Sequence, residues 1–421
     1  MSTSDHAFVT ALTTLNCALS KYKDIWSEEP FQQPKPALMG KSHWQQTNPD
    51  LYQFLIQLSD EEQRQLESSP EQLKQALTPF LPELEECSDI EEGMPSTTQP
   101  SNLNHQLPNR FSDGINGRKW QQILAFCGEI APAQNYVDWC CGKGHLARTL
   151  SALHGSHVSG LEWDAKLCES GNALANKQNR NVSIYQYDVL SEKPLPNFYK
   201  LDRPSSEHHL ALHACGDLHI NMMTKSIAAK ATELSIAPCC FHKTQQALYQ
   251  PLSQKLRKLQ QSEPLQLTRD QLKLAVQETV TAPNRDQHQR HQLKLWRLAF
   301  TRIRQHQCQT NQYLPSPSVS PKLLQHGFEY FCSHLAQLCH FSLSSNIQYQ
   351  EYLLQAEQEL RIIERLELAR HAFRRPLELW LVLDRALYLL ENNYQVSIKR
   401  FCSRQLTPRN LLLQARLITP E

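Results

Sequence analysis

Glycine is scarce in this chain of 421 residues. Only 12 glycines are present, where an average usage of about 7% would give roughly 29. A chain with few glycines has few tight turns and few close backbone approaches, so the composition predicts a helix-rich protein. Nine of the twelve lie between Gly114 and Gly216, and we expect any loop that holds a ligand in that part of the chain.

Long apolar runs are also missing, and no secretory leader is expected. Even the apolar stretch Leu377–Leu390 is interrupted by Asp384 and Arg385, and it is shorter than the ~18 residues that span a bilayer. The opening residues, MSTSDHAFVT, show no basic segment followed by an apolar core. The 13 cysteines are odd in number and are expected to be free thiols of a reducing compartment. The sequence therefore predicts a cytoplasmic protein without a membrane partner.

The net charge is only +1, yet the charges are segregated along the chain. Residues 1–100 hold 6 Lys and Arg against 16 Asp and Glu, which leaves 37 against 26 for the rest. We predict an acidic helical unit over residues 1–85, then a linker over 86–109 that is rich in Ser, Pro, Asn and acidic residues. Residues 110–421 form a basic body that can face a polyanion.

From residue 135, short apolar runs alternate with helical patterns. The runs are Tyr136–Cys140, Val158–Glu162, Val182–Tyr187, Leu210–Cys215 and Leu234–Pro238. Their spacing is typical of consecutive βα units, which form a parallel sheet with right-handed crossovers. A helical insertion is predicted over 246–372, and a helix over 376–392 follows it. Two last strands, Val396–Phe401 and Leu411–Leu417, are expected to close the sheet as an antiparallel pair.

The segment from Val137 to His145 follows the first strand and opens a helix. Gly142 and Gly144 allow a ligand to approach the backbone, and the helix N-terminus presents unpaired N–H groups. Asp138, Glu162 and Asp188 are placed at the ends of three successive strands, where a carboxylate can accept hydrogen bonds from a ribose diol. A third glycine for an NAD-type loop is missing, and no G-K-[ST] of a P-loop is present.

This D-x-x-x-G-x-G pattern resembles the S-adenosylmethionine-dependent methyltransferases. Segments His208–Asp217 and Ala237–Lys243 resemble the A-L-H-x-C-G and P-C-C motifs of one family among them, and Leu383–Ala386 and Thr407–Asn410 are similar to its closing motifs. That family includes the glutathione S-transferase C-terminal domain-containing protein and methyltransferase-like relatives, and a tRNA 2′-O-methyltransferase resembles it more distantly. The resemblance runs from Lys119 to Leu417 without the inserted helices.

The resemblance implies a doubly wound, Rossmann-like α/β sheet of seven strands, of the class I methyltransferase type. It implies S-adenosylmethionine as cofactor, held by Asp138, Cys140, Gly142, Gly144, Glu162, Asp188 and Val189. Cys140 stands where methyltransferases at large have glycine, so its side chain is expected to narrow the cofactor loop. RNA is the leading acceptor. A protein or small-molecule methyltransferase, and a degenerate fold that only binds, remain as alternatives.

Four residues near the fourth and fifth strands are candidates for catalysis: His213, Asp217, Cys240 and His242. His213 is equally explained as a core histidine, and Asp217 as the N-cap of a helix. Five cysteines end strands one, four and five. Because no C-x-x-C spacing occurs and neighbouring strand residues point to opposite faces, they are predicted to pack and to bind no metal.

A basic helix is predicted over 285–306, inside the insertion. Its cations are Arg285, Arg290, Lys294, Arg297, Arg302 and Arg304, and Asp286 is its single acid. Trp296 and Phe300 are available for packing or for base stacking. RNA contact is one explanation of this pattern, and an ordinary solvated helix face is the other.

Overall fold

The computed structural model describes residues 3–35, 37–97, 102–193, 195, 207–212, 214–277 and 284–418. Within these residues the chain forms a seven-stranded sheet in the order β3-β2-β1-β4-β5-β7-β6. The strands are β1 Asn135–Trp139, β2 His157–Glu162, β3 Val182–Gln186, β4 Glu207–Ala211, β5 Glu233–Ile236, β6 Tyr394–Arg400 and β7 Leu411–Leu417. This is the α/β arrangement of class I methyltransferases, as predicted.

Six of the seven strands run in the same direction, and β7 runs opposite to them. β1 pairs with β2 on one side and with β4 on the other, so that Asp138 lies opposite both Gly160 and Leu210. β7 runs antiparallel to both β5 and β6, which confirms the predicted closing pair. Four of the five residues of β1 are buried, as expected for a strand in the middle of a sheet with helices on its faces.

The sheet belongs to the first of two compact units, which comprises Met1–Ser20, Glu86–Glu278 and Arg375–Glu421. Its helices lie wholly or mainly within these segments. They are Thr3–Lys21, Glu83–Glu92, Gly117–Gly128, His145–His154, Ala165–Lys177, Asp217–Ala228, Gln254–Ser262, Arg269–Leu272 and Arg374–Glu391. Helix Arg374–Glu391 is almost wholly buried, including Asp384 and Arg385. Two short 3-10 helices, Asn102–Gln106 and Lys273–Val276, complete this unit.

The second unit comprises Lys21–Glu85 and Thr279–Arg374 and is helical. Its α-helices are Lys23–Trp26, His43–Thr47, Pro49–Gln57, Asp60–Ser68, Pro70–Leu77, Asn284–Gln307, Phe328–Leu338 and Tyr349–His371. Shorter helical segments are Pro30–Gln32, Ala37–Lys41 and Pro321–His326. Helices Asn284–Gln307 and Tyr349–His371 pack on each other and bury Leu298, Ile303 and Ile363. None of the helices over the described ranges combines the length and the apolarity that crossing a bilayer would require.

Several predicted boundaries differ from the structure. The predicted linker 86–109 begins inside helix Glu83–Glu92, because Leu84 and Cys87 are buried there. The helical insertion is predicted to begin at residue 246, but its first helix begins only at Gln254, since Ser253 caps it. The two compact units follow other boundaries than the predicted domains 1–85 and 110–421 with the insertion 246–372, and those domain boundaries stay a prediction.

Candidate functional site

The order of the strands indicates where a ligand site lies, namely at the carboxyl ends of β1 and β4. The chain moves outward from β1 to β2 and β3, and then returns to place β4 on the other side of β1. Open α/β sheets bind ligands beyond the carboxyl ends of their strands at such a reversal. The loops that follow β1 and β4 are therefore the loops in which a ligand is expected.

The loop after β1 has an unusual backbone. Cys140, Gly142 and Gly144 all adopt a left-handed conformation, with φ of 57°, 58° and 64°. A Cβ on Gly144 would lie 2.7 Å from Cδ1 of Ile184, whereas a Cβ on Gly142 would meet nothing within 4 Å among the described residues. Gly144 is thus required by packing inside the unit, and Gly142 faces open space where a ligand can approach.

Glu162 binds this loop from the end of β2. Its Oε2 accepts a hydrogen bond from the backbone N–H of Gly142 at 2.9 Å, and its Oε1 accepts one from Asp164 at 3.1 Å. A carboxylate has about four lone-pair sites, so two remain for a ligand. Trp163 follows directly and is 72% exposed. Sequence reasoning missed this residue, although a large aromatic directly after a strand-ending acid is a visible pattern.

Asp138 lies within β1 and is only 2% exposed. Burial raises the pKa of its carboxyl group to about 7, although a hydrogen bond from the backbone of Ala147 opposes this shift. Its Oδ2 has no hydrogen-bond partner among the described residues. Asp138, a predicted cofactor residue, is therefore a buried hydrogen-bond acceptor, and one of its oxygens has no donor among the described residues.

Asp188 and Val189 lie just beyond β3, which ends at Gln186. Asp188 is exposed, and its Oδ1 accepts a hydrogen bond from the backbone N–H of Leu190 at 2.9 Å. Val189 is 3% exposed. The carboxylate of Asp188 thus lies at the same edge of the sheet as Glu162.

Of the five cysteines expected to converge, the structure brings three together. The Sγ atoms of Cys215, Cys239 and Cys240 lie within 4.8 Å of one another, and those of Cys215 and Cys239 are 3.4 Å apart. Hydrogen bonds from Cys215 and Cys239 lower the pKa of the Cys240 thiol. The neighbouring thiols raise the pKa of Cys239. Cys140 and Cys141 are not members of this group.

The loop that carries Cys240 is held against the start of helix Asp217–Ala228. A Cβ on Gly216 would lie 1.9 Å from the carbonyl oxygen of Lys243, so no other residue fits there without a shift of the backbone. The N–H of Asp217 donates to the same oxygen at 3.0 Å. The N-cap of the helix is Gly216, not Asp217. The Asp217 carboxylate instead accepts a hydrogen bond from the N–H of Gln245 at 2.8 Å.

Of the two candidate histidines, the structure describes His242. His213 lies outside the described residues, so its predicted role stays a prediction. Burial lowers the pKa of His242, Cys240 opposes this shift, and the positive charges of Lys273, Lys243 and Arg409 add to it. The Nδ1 of His242 is buried and has no hydrogen-bond partner within the described part of the chain. A neutral imidazole with an unused nitrogen is suited to accept a proton.

The closing motifs hold the chain in place, and Arg409 of the second motif is one of the cations near His242. The Asp384 carboxylate accepts hydrogen bonds from Leu252, Ser253 and the hydroxyl of Tyr249. Asn410 donates to the carbonyl of Cys402 at 2.7 Å. These contacts anchor the chain on both sides of the helical segment that follows β5.

The cations of helix Asn284–Gln307 are largely engaged within the second unit. Lys294 pairs with Glu367 at 2.7 Å and Arg302 with Glu359 at 2.6 Å. Arg297 donates to the carbonyl oxygens of Ser316 and Pro317, and Arg304 to those of Leu314 and Pro315. Trp296 packs against Phe328 and Phe331, while Arg290 is exposed. The predicted RNA contact of this helix stays a prediction.

Residues 118–247 match the model of a protein family described as a methyltransferase domain. No curated protein matches the chain by sequence. Similar solved structures include the CcbJ methyltransferase from Streptomyces caelestis, with 17% identity and a TM-score of 0.23 over 33% of this chain and 55% of that one. A SAM-dependent methyltransferase from Aquifex aeolicus has 16% identity and a TM-score of 0.23, over 33% and 72%. The 23S rRNA methyltransferase ErmE has 14% identity and a TM-score of 0.24, over 60% and 98%.

This chain thus spans about half the length of the CcbJ methyltransferase, and TM-scores this low add nothing to the argument from topology. The family match covers the segment that contains the glycine loop, the three strand-end acids and the cysteine cluster. The strand order independently gives the class I sheet. Residues 118–247 therefore match a methyltransferase domain and contribute five strands to a sheet of class I topology.

Proposed function

We propose that the protein transfers a methyl group from S-adenosylmethionine to RNA. The observation that carries the cofactor assignment is the loop at Gly142, which faces open space and is held by Glu162 at the reversal of the strand order. S-adenosylmethionine, when bound, supplies a methyl group that its sulfonium already activates.

The donor set of the loop fits this cofactor. The unused acceptor sites of Glu162 suit the two ribose hydroxyls, and the exposed ring of Trp163 suits the face of an adenine. The exposed carboxylate of Asp188 suits an exocyclic amino group. The Oδ2 of Asp138, which is buried without a hydrogen-bond donor among the described residues, suits the ammonium group of an amino-acid moiety.

The preference for RNA is supported by charge at the acceptor side. Lys243, Lys273 and Arg409 each lower the pKa of His242, so three positive charges lie near the loop after β5. Such a group of positive charges attracts a phosphate backbone. His242 is our choice for the general base that an RNA hydroxyl acceptor requires, because its depressed pKa keeps it neutral at pH 7.

Methyl transfer can be tested with the full chain, radiolabelled S-adenosylmethionine and separate pools of RNA, protein and small molecules. We expect label in RNA, and mass spectrometry of nucleosides from strains with and without the gene identifies the product. Glu162→Gln should lower incorporation at limiting cofactor, with exposed Glu169→Gln as the matched control. Label in protein or small molecules alone would overturn the RNA acceptor, and absence of cofactor binding by calorimetry would overturn the proposed function.

A further inference from the structure

The thiols of Cys215, Cys239 and Cys240 form a cluster of a size that a metal ion requires. Their Sγ atoms lie within 4.8 Å of one another, and those of Cys215 and Cys239 are 3.4 Å apart. In a tetrahedral zinc site with Zn–S bonds of about 2.3 Å, two sulfurs are about 3.8 Å apart. Small side-chain rotations therefore convert the cluster into three ligands of one ion.

The backbone conformation holds these three sulfurs close to one another. Cys215 and Cys239 pair across a parallel bridge, and the N–H of Gly216 donates to the carbonyl of Cys239 at 3.1 Å. Cys240 has φ of 48°, a left-handed conformation that is strained for a residue with a Cβ. Strain of this kind concentrates at functional sites.

The left-handed turn removes the reason for expecting no metal. Neighbouring residues point to opposite faces only while the chain is extended. β5 ends at Ile236, so Cys239 and Cys240 lie beyond the strand, and the turn directs both thiols toward Cys215. Adjacent cysteines can therefore ligate the same ion here without C-x-x-C spacing.

We propose that Cys215, Cys239 and Cys240 bind one Zn²⁺ through three thiolates, with the fourth position taken by water or by a substrate atom. Soft thiolates favour Zn²⁺ or Cu(I) among the common metals, and catalytic zinc sites combine three protein ligands with one open position. Each thiol that is protonated releases its proton to solvent on binding. Lys243 and Arg409 act on Cys240, and their positive charges offset the net −1 of Zn²⁺ with three thiolates.

The site can be tested on the full chain, purified under reducing conditions without chelators and without a metal-affinity tag. Elemental analysis should give one zinc and no copper per chain. Cys215→Ser, Cys239→Ser and Cys240→Ser should each weaken zinc binding by more than the about 10–100-fold that loss of an outer-shell partner costs. The exposed cysteines provide matched controls, and Cys17→Ser and Cys308→Ser should keep the zinc.

A second measurement on the wild type is independent of how the variants fold. Co²⁺ added to metal-free protein should give sulfur-to-cobalt charge transfer and tetrahedral d–d bands that saturate at one equivalent. Folded, reduced protein that binds neither Zn²⁺ nor Co²⁺ would overturn the site. So would a Cys215–Cys239 disulfide found by peptide mass spectrometry in protein kept reduced. Calorimetry with S-adenosylmethionine on the same samples reports separately on the proposed function.

Discussion

The guanidinium Nε of Arg385 lies 2.7 Å from Nε2 of His219, and both side chains are fully buried. Because Nδ1 of His219 is 3.2 Å from the carbonyl oxygen of Ala214, that nitrogen carries the proton and Nε2 accepts from Arg385. Arg385 also lies over the ring of Phe241, 4.8 Å from its centroid. One arginine thus connects the helix after β4, which begins two residues after Cys215, to the loop after β5 that carries Cys239 and Cys240.

Arg385→Leu should lower the free energy of unfolding by at least about 1.5–3 kcal/mol, because it leaves buried acceptors without their charged donor. Urea denaturation followed by circular dichroism measures this loss. Arg416→Leu removes an exposed arginine paired with Glu233 and should cost less than about 1 kcal/mol. Equal losses in the two variants would contradict the anchoring role of Arg385.

Asp138→Asn should make stability less dependent on pH. The folded pKa of Asp138, about 7, exceeds the unfolded value of about 3.9, so wild-type stability is complete below about pH 4 and declines as pH rises toward 7. The amide cannot ionise, so the variant should gain up to about 4 kcal/mol over wild type at pH 8 and little at pH 4.

Urea denaturation at the two pH values, without cofactor, checks the prediction for Asp138. The exposed Asp270→Asn is a suitable control, because its carboxylate is 76% exposed and pairs only at the surface with Lys273. A gain for Asp138→Asn that is the same at pH 4 and at pH 8 would show that its carboxyl group does not titrate in this range.

Glu162→Gln should weaken binding of S-adenosylmethionine by about 10–150-fold, because a charge-assisted hydrogen bond of about 1.5–3 kcal/mol is lost. Isothermal calorimetry gives the dissociation constants. The loss in free energy of unfolding should be smaller than the loss in binding free energy, since the amide oxygen of Gln can still accept a hydrogen bond from the N–H of Gly142. Affinity within twofold of wild type would remove Glu162 from the cofactor site.

Gly142 and Gly216 share a φ of 58° but differ in the space that a Cβ would meet, and Gly216 also has ψ of −123°, which lies outside the left-handed region. Gly142→Ala adds a Cβ to open space and should cost only the strain of about 1–2 kcal/mol. Gly216→Ala places a Cβ 1.9 Å from the carbonyl oxygen of Lys243, so the destabilisation should be larger by several kcal/mol. Chemical denaturation of both variants measures the loss in free energy of unfolding. Equal losses would mean that the backbone at Lys243 moves away from the added Cβ at little cost.

If the acceptor is RNA, Lys243→Gln and Arg409→Gln should each reduce the log–log salt slope of RNA binding by about 0.7–0.9 per lost phosphate contact. Filter binding over a range of salt concentrations gives the slopes. Arg290→Gln is the matched variant on helix Asn284–Gln307, and a change there would support the predicted helix contact. Unchanged slopes in all three variants would favour a small-molecule or protein acceptor.

The sheet was predictable because its cause is local. The first three strands are short runs rich in apolar residues, and the runs beginning at Tyr136, Val158 and Val182 fall within one residue of the observed strands. The predicted start of the helical insertion at residue 246 was wrong for a nonlocal reason. Leu252 and Ser253 donate their N–H groups to Asp384, more than 130 residues away, and this distant partner replaces helical hydrogen bonds.

Part of the candidate site follows from the sequence in the same way. The positions of Gly142, Glu162 and Asp188 follow from strand ends, because the carboxyl ends of parallel strands share one edge. The cysteine cluster does not follow, since it depends on a left-handed Cys240, a conformation for which propensity points to glycine. The exposed side chain of Trp163 likewise depends on a turn that has no distinctive sequence.

The sheet order has a consequence for synthesis of the chain. β7 lies between β5 and β6, and Arg416 pairs opposite Glu233, which precedes it by 183 residues. At a translation rate of about 5–20 residues per second, the edge of β5 lacks its partner for roughly 10–40 s after it is made. An unpaired strand edge invites pairing with other chains, so the nascent protein should depend on chaperones during this interval.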